Sequence, residues 1–340
     1  MIVSLERAAE LLQSGENVAI PTETVYGLAA DVFQPEAIKN TFSRKGRPAD
    51  NPLIVHLAHE RDASLVASNI PDDFYMLAER FWPGPLTMIL NRRPDVPDVA
   101  VAGMNSVAVR VPNHAVTLEL IRLTGPLTAP SANRSGRPSP TCAQHVLEDF
   151  EGLLPVLDGG VSIIGVESTV LDLTSQPYTV LRPGVIGIRE LEEVLGVRIS
   201  SSTTGSQTSK KSPGTRYRHY APKARVRWLR VDEKPDLGRT DSLYVFHTAE
   251  MGLVWSSSED IQLTDAQAAS GEPNLVNDRV LQFSGDYRAF AANLYEIYRS
   301  ADRTGCEEIV IEPFKDSHPP KELPTILALS NRILHSMRNS

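Results

Sequence analysis

Apolar and polar positions alternate in short blocks along the first 200 residues, and the spacing within each block predicts its structure. LERAAELLQS, from Leu5, carries apolar residues at helical spacing behind Ser4, whose hydroxyl can cap it, and it stops at Gly15. NVAIPT and VYGLAADV read as short strands about a turn. PEAIKNTFSRK opens with Pro35 at a first helical position, where a missing N–H costs nothing. LIVHLA, LTMIL, SVAVRVP, STVLDL and TVLRPG predict strands, and SVAVRVP shows period-two alternation. Helical patterns cover Asp72–Phe81, Ala115–Leu123 and Arg189–Leu195. Strands and helices mix without regular alternation. This predicts an α/β domain on a twisted mixed sheet, not a doubly wound parallel one.

The pattern breaks at Ser200. SSTTGSQTSKKSPGTRYRHYAPK is rich in Ser and Thr, has almost no apolar period, and reads as a linker. Beyond it, RVRWLRV, SLYVFH and EEIVIEP predict strands. Tyr287, Phe290, Ala291, Leu294, Ile297, Tyr298 and Ala301 mark one helical face, and Glu322–Met337 predicts a last helix. A chain of 340 residues suits two domains. The boundaries read as a domain over 1–200, a linker over 201–223 and a smaller α/β domain over 224–340.

Composition narrows the class. The chain is 41% hydrophobic and 22% charged, a soluble globular balance. Cys142 and Cys306 stand far apart without a CxxC pattern, which argues against a disulfide framework or a zinc site. No apolar run reaches the ~18 residues of a membrane span, and the N-terminus shows no secretory pattern, so the reading is cytoplasmic. The net charge of −8 argues against a tight nucleic-acid binder. Against that trend, Lys210 to Arg230 carries eight cations and no acid, a segment suited to solvent or to phosphate.

Four polar segments border the strands of the first domain: PTETVYGLAAD, SRKGRPADNPLIVHL, APSANRSGRPSPT and GVESTVLD. Loops at strand ends are where binding residues concentrate. Lys45 and Arg47 flank Gly46 on a turn; a point charge and a fork suit polyphosphate as well as plain solvation. The GxxxxGK[ST] spacing of a P-loop is absent. Ser131, Asn133 and Ser135 offer hydroxyls and an amide for an anion or ribose, although turn and capping roles are the default for serines. Thr141 can cap CAQHVLEDF. Glu167, Ser168 and Thr169 precede a strand, and His56 sits within one, where a satisfied core histidine is the usual occupant. No Ser-His-Asp set, histidine-rich metal triad or nucleophilic cysteine emerges from spacing. The residues point to chemistry by positioning and charge neutralisation.

PTETVYGLAAD, KGRPADNPLIVHL, WPGPLT, VAVRVP, APSANRSGRPSPT and STVLD, in this order, resemble the threonylcarbamoyl-adenylate synthases of the YrdC-like fold. SPGTRYRHYAPK and the smaller domain resemble the long, two-domain form, whose second domain is a Rossmann-like α/β unit; here the stretch GLVWSSSEDIQLTDAQAASGEP is less typical. The resemblance implies a reaction. Threonine and bicarbonate give a carbamate, which attacks the α-phosphate of ATP and releases pyrophosphate. A separate tRNA threonylcarbamoyl-transferase complex uses the product, with only weak contact between this chain and tRNA. By resemblance, Lys45, Arg47, Ser131 and Asn133 surround the phosphates and the reacting centre, with Lys45 and Arg47 catalytic. Asn51, Thr141 and Arg182 help hold ATP. Thr24, His56, Arg110 and Ser168 surround L-threonine, and Arg110 is suited to clamp its carboxylate. Tyr220 closes over the nucleotide as part of a lid. Mg2+ accompanies ATP and is carried by its phosphates. The competing readings are an RNA-binding module of the same fold and carbamoyl transfer from carbamoyl phosphate. The acidic net charge and the lack of aromatics near Lys45 and Arg47 count against the first. The absence of acylphosphatase-like and zinc-finger regions counts against the second.

Overall fold

The computed structural model describes residues 1–202, 220–236, 239–248, 274–277, 279–315 and 319–337. Contacts divide the chain into two compact units, Met1–His219 and Tyr220–Ser340. Most of the 201–223 linker, and all of the 252–273 stretch, lie outside the described residues. No described helix is long and apolar enough to cross a membrane.

Local signals in the first unit act where the sequence places them. The helix Leu5–Gln13 begins at Ser4, whose hydroxyl accepts the Arg7 N–H at 3.3 Å. The helix Pro35–Lys45 starts on its proline and ends at Gly46, whose left-handed φ of 61° turns the chain sharply. That turn delivers Lys45 and Arg47 to the same region. Asp72–Phe81 is helical throughout. One expectation fails: Cys142, not Thr141, holds the N-cap position of the helix Ala143–Asp149. Thr141 is drawn off because His145 Nδ1 accepts its backbone N–H at 3.1 Å.

The described strands of this unit form one twelve-stranded sheet. Its central order is Leu127–Thr128, Ile54–His56, Ser106–Arg110, Leu86–Arg92, Thr169–Asp172, Thr179–Arg182. Along this path Ile54–His56 runs parallel to Ser106–Arg110, which is antiparallel to Leu86–Arg92. Leu86–Arg92 runs parallel to Thr169–Asp172, which is antiparallel to Thr179–Arg182. The sheet is mixed, as expected.

Successive strand residues face opposite sides. One face buries Val55, Leu86, Met88, Val107, Val109 and Leu171 against Ile38, Phe42, Phe74 and Leu77 of the helices. Each such side chain contributes about 1.5–3 kcal/mol on burial. The opposite face carries a much smaller cluster, Ile54, Ile89, Ala108, Val170 and Leu181, and then turns polar. The large core therefore fixes the register: a slip of one residue would drive Arg110 and His56 into it.

The second unit has a five-stranded sheet in the order Arg225–Trp228, Glu308–Ile311, Ser242–Phe246, Val280–Gln282, Asn274–Asn277. The first four are parallel and the last is antiparallel. The helix Tyr287–Arg303 starts where the Asp286 carboxylate accepts the Ala289 N–H at 2.8 Å. The helix Leu323–Met337 follows the last strand. This is the smaller Rossmann-like α/β unit that the sequence predicts.

Candidate active site

Strand register assembles the polar face. His56 lies directly beside Arg110. Met88 opposes Val109, which brings Thr87 beside Arg110. Val170 pairs with both Thr87 and Arg182, and Ser168 stands two residues earlier on the same side. His56, Arg110, Thr87, Ser168 and Arg182, all buried, thus form a row across five adjacent strands.

Arg110 is gripped from three directions. Its Nε donates to the Gly84 carbonyl at 3.1 Å, and its Nη1 to Thr24 Oγ1 at 2.9 Å. Its Nη2 faces Glu23 Oε2 at 2.6 Å. Gly84 has to be glycine here, because a Cβ would sit 2.3 Å from the Phe81 carbonyl oxygen. Thr22 fixes the turn that presents Glu23 and Thr24: its hydroxyl lies 2.8 Å from Thr24 Oγ1 and donates to the Val25 carbonyl at 2.7 Å. Burial, reinforced by the Arg110 cation, pushes the His56 pKa down to about 3, so the ring is neutral at physiological pH. Its Nδ1 is buried without a hydrogen-bond partner among the described residues, unlike the satisfied core histidine that spacing favours.

Farther along the row, Ser168 and Thr87 hydroxyls lie 2.8 Å apart. Arg182 donates to the Ser168 carbonyl through Nε and to its hydroxyl through Nη2, both at 3.1 Å. The resemblance assigns Arg182 to ATP and Ser168 to threonine; here they are directly bonded.

The cationic turn meets the Ser131–Asn133 loop. Lys45 Nζ donates to the Ser131 carbonyl at 2.5 Å and the Asn133 carbonyl at 2.7 Å. The Ser135 N–H returns a bond to the Lys45 carbonyl at 2.8 Å. Lys45 is therefore an organiser of the loop as well as a cation facing it. Burial first, and the Arg47 charge second, hold its pKa well below the ordinary lysine value, partly opposed by Asp149. Arg47 Nη2 donates to the Pro52 carbonyl at 3.2 Å and reaches the Asn51 carbonyl at 3.5 Å; Asn51 itself is fully buried. Asn133 Nδ2 donates to the carbonyls of Arg134 and Arg137 at 2.8 Å, while its buried Oδ1 has no hydrogen-bond partner among the described residues. The Ser162 N–H donates to the Thr141 carbonyl at 2.8 Å and its hydroxyl to the Thr22 carbonyl at 2.8 Å, which ties Thr141 to the turn beside Arg110.

Two family models divide the chain. One, described as "Telomere recombination", matches residues 10–184, and the second, the threonylcarbamoyl-AMP synthase C-terminal domain, matches residues 186–336. A threonylcarbamoyl-AMP synthase of Pyrococcus abyssi is 42% identical over 312 residues, covering 90% of this chain and 87% of that protein. The chain belongs to the threonylcarbamoyl-AMP synthase family. The Bacillus subtilis member is 36% identical over 348 residues, covering 97% of this chain and 92% of its own. The crystal structure of P. abyssi Sua5 complexed with L-threonine superposes with a TM-score of 0.78 at 36% identity, covering 99% of this chain and 97% of that one.

Within this family framework, eleven of the twelve residues to which the resemblance gives a role lie in the first unit. Tyr220 is the exception. Its ring is buried in the second unit, stacked on Tyr295 at 5.7 Å, edge-on to His335, with the Arg332 guanidinium 5.9 Å from its centre. Sequence reasoning missed Glu23, Thr22, Thr87 and Gly84. Glu23 lies inside PTETVYGLAAD, but only its contact with Arg110 marks it out. Among the described residues no group of three or more His, Cys, Asp or Glu side chains is gathered to hold a metal ion. Among the described residues, the side-chain donors do not form a set that would hold Mg2+ by themselves.

Proposed function

We propose that the first unit joins L-threonine, bicarbonate and ATP into threonylcarbamoyl-AMP, pyrophosphate and water, with the polar row holding threonine and the cationic turn holding the nucleotide phosphates. The observation that carries this reading is Arg110. It is a buried guanidinium fixed in plane by Gly84 and Thr24, beside a neutral imidazole with an unpartnered nitrogen. Such a fork suits the amino-acid carboxylate, and His56 Nδ1 and Thr24 suit the threonine hydroxyl. The bound L-threonine of the P. abyssi relative supports a threonine site.

The remaining residues serve the phosphoryl centre. Lys45 keeps one N–H beyond the two given to the loop carbonyls, and Arg47 stands close enough to depress its pKa. An arriving polyphosphate offsets that repulsion. As the carbamate oxygen attacks the α-phosphorus, charge develops on the phosphoryl oxygens, where both cations stabilise it. Pyrophosphate leaves with the old bridging oxygen. Ser131, Asn133, Asn51, Thr141 and Arg182 hold the nucleotide in line. The product serves N6-threonylcarbamoyladenosine formation on tRNA by a separate cytoplasmic transferase complex. Pyrophosphate release measured with each substrate omitted in turn tests the reaction. Release that is independent of threonine and bicarbonate overturns it.

A further inference from the structure

Glu23 lies beside Arg110, yet the reaction described above gives it no task. Its side chain is 2% exposed. Its backbone carbonyl accepts the Ile164 N–H at 2.8 Å, which holds the turn in place. Oε2 lies 2.6 Å from Arg110 Nη2 as an ion pair, but the alignment is not that of a hydrogen bond. Neither carboxylate oxygen accepts a hydrogen bond from any described residue. A buried carboxylate in that condition is costly, and a natural structure retains one where something else supplies the donors.

The pair also sets the charge of the pocket. Arg110 is positive, Glu23 is negative, and burial keeps His56 neutral. The charges of these three side chains therefore cancel in sum but leave a strong dipole between Arg110 and Glu23. An arginine alone accepts any small carboxylate. An arginine with a carboxylate beside it complements an ammonium and a carboxylate borne on the same carbon.

We propose that Glu23 reads the α-ammonium group of the amino-acid substrate and makes the site select a zwitterion over a hydroxy acid. Glu23 is thus a specificity-determining residue, and its role rests on the assignment of Arg110 to the threonine carboxylate. A placeholder role, in which Glu23 occupies Arg110 until the substrate carboxylate displaces it, has the opposite sign. Removing the Glu23 charge weakens threonine binding if it reads the ammonium and tightens it if it is a placeholder.

Calorimetric titration of the full chain decides the matter, with two ligands: L-threonine, and 2,3-dihydroxybutyrate of matching configuration, in which a hydroxyl replaces the ammonium. The wild-type chain should bind the dihydroxy acid about tenfold to a hundredfold more weakly, the range of a charge-assisted contact. In Glu23→Gln, which keeps the shape and removes the charge, threonine should weaken by a similar factor. Its preference over the dihydroxy acid should shrink to about threefold or less, while ATP affinity stays as in wild type. Equal wild-type affinity for the two ligands, or threonine bound as tightly or more tightly by Glu23→Gln, overturns the proposal. A wild-type chain that binds no threonine at all instead overturns the functional reading beneath it. If a thermal melt shows Glu23→Gln to be unfolded, the wild-type comparison of the two ligands decides alone.

Discussion

Each unit buries a glutamate, and the two are built in opposite ways. Glu312, 4% exposed, accepts the N–H groups of His247 and Thr248 at 2.8 and 2.9 Å and the Thr248 hydroxyl at 2.5 Å. Glu23, 3% exposed, accepts no hydrogen bond from the described residues and faces a single cation. The arginines follow suit. Arg227 makes two bonds to Glu233, at 2.8 and 2.6 Å, and pairs with Glu308 at 2.9 Å, an arrangement that holds the Glu233 pKa down at about 2. Arg110 has one ill-aligned carboxylate and two neutral acceptors. Saturated polar groups hold an architecture together. Unsaturated ones, kept in place by a rigid frame, are the signature of a site awaiting a ligand.

The comparison breaks first on acid stability. The His56 pKa lies near 3 in the folded chain, well below its unfolded value, so the unfolded chain binds the extra proton between pH ~6.5 and ~3. Stability from neutral His56 is present above pH ~6.5 and lost as pH falls toward 3, on the order of 5 kcal/mol in all. Denaturant titrations at pH 7.5, 6 and 4.5 should show a shallower loss in His56→Gln than in wild type. Parallel curves would mean that the ring is not held neutral.

Arg47→Ala comes next. It should reduce threonylcarbamoyl-AMP formation about a hundredfold or more, equivalent to roughly 3 kcal/mol of transition-state stabilisation, and leave the melting temperature nearly unchanged. Mass-spectrometric product assay beside a melting curve separates the two effects. Full activity in the folded variant would remove Arg47 from the reaction.

Glu312→Ala should behave the other way round. It leaves the buried His247 N–H and the half-buried Thr248 N–H without their acceptor and should cost about 2 kcal/mol of stability. L-threonine affinity, measured by calorimetry below the unfolding transition, should stay at the wild-type value. Lost affinity with unchanged stability would reverse the roles given to the two glutamates.

The smallest effect concerns the substrate methyl group. Serine should be a poorer substrate than threonine by about 1 kcal/mol, the low end of what one missing methyl group is worth. Competition kinetics that favour serine would mean that the site offers the threonine methyl no favourable contact.

The sequence made the elements legible wherever a signal was local. Ser4, Pro35 and Gly46 mark helix ends by their own chemistry, and Asp72–Phe81 shows its helical period unaided. The two-residue strands Ile2–Val3, Ala67–Ser68 and Val156–Leu157 are too short for any period to register, and they exist because partners reach them. The site was half legible for the same reason. Motif residues could be named through resemblance to a family, but the bond from Arg110 to Thr24 spans 86 positions and that from Lys45 to Asn133 spans 88. Glu23 in particular carries no mark until Arg110 is beside it. Thr141 was misread because capping statistics describe a residue alone, and His145 competes for it.

The order of strands has a consequence for the chain as it is made. Leu86–Arg92 finds Ala67–Ser68 already made and Ser106–Arg110 soon after synthesis, but Thr169–Asp172, the partner of its Leu86–Ile89 stretch, comes much later. At about 5–20 residues per second, that edge stays open on the ribosome for roughly 4–16 seconds. Arg182 joins the row only after this interval, so the row is complete only when almost the whole first unit has emerged. Throughout the wait, an apolar strand with one unsatisfied edge is exposed to any other nascent chain nearby.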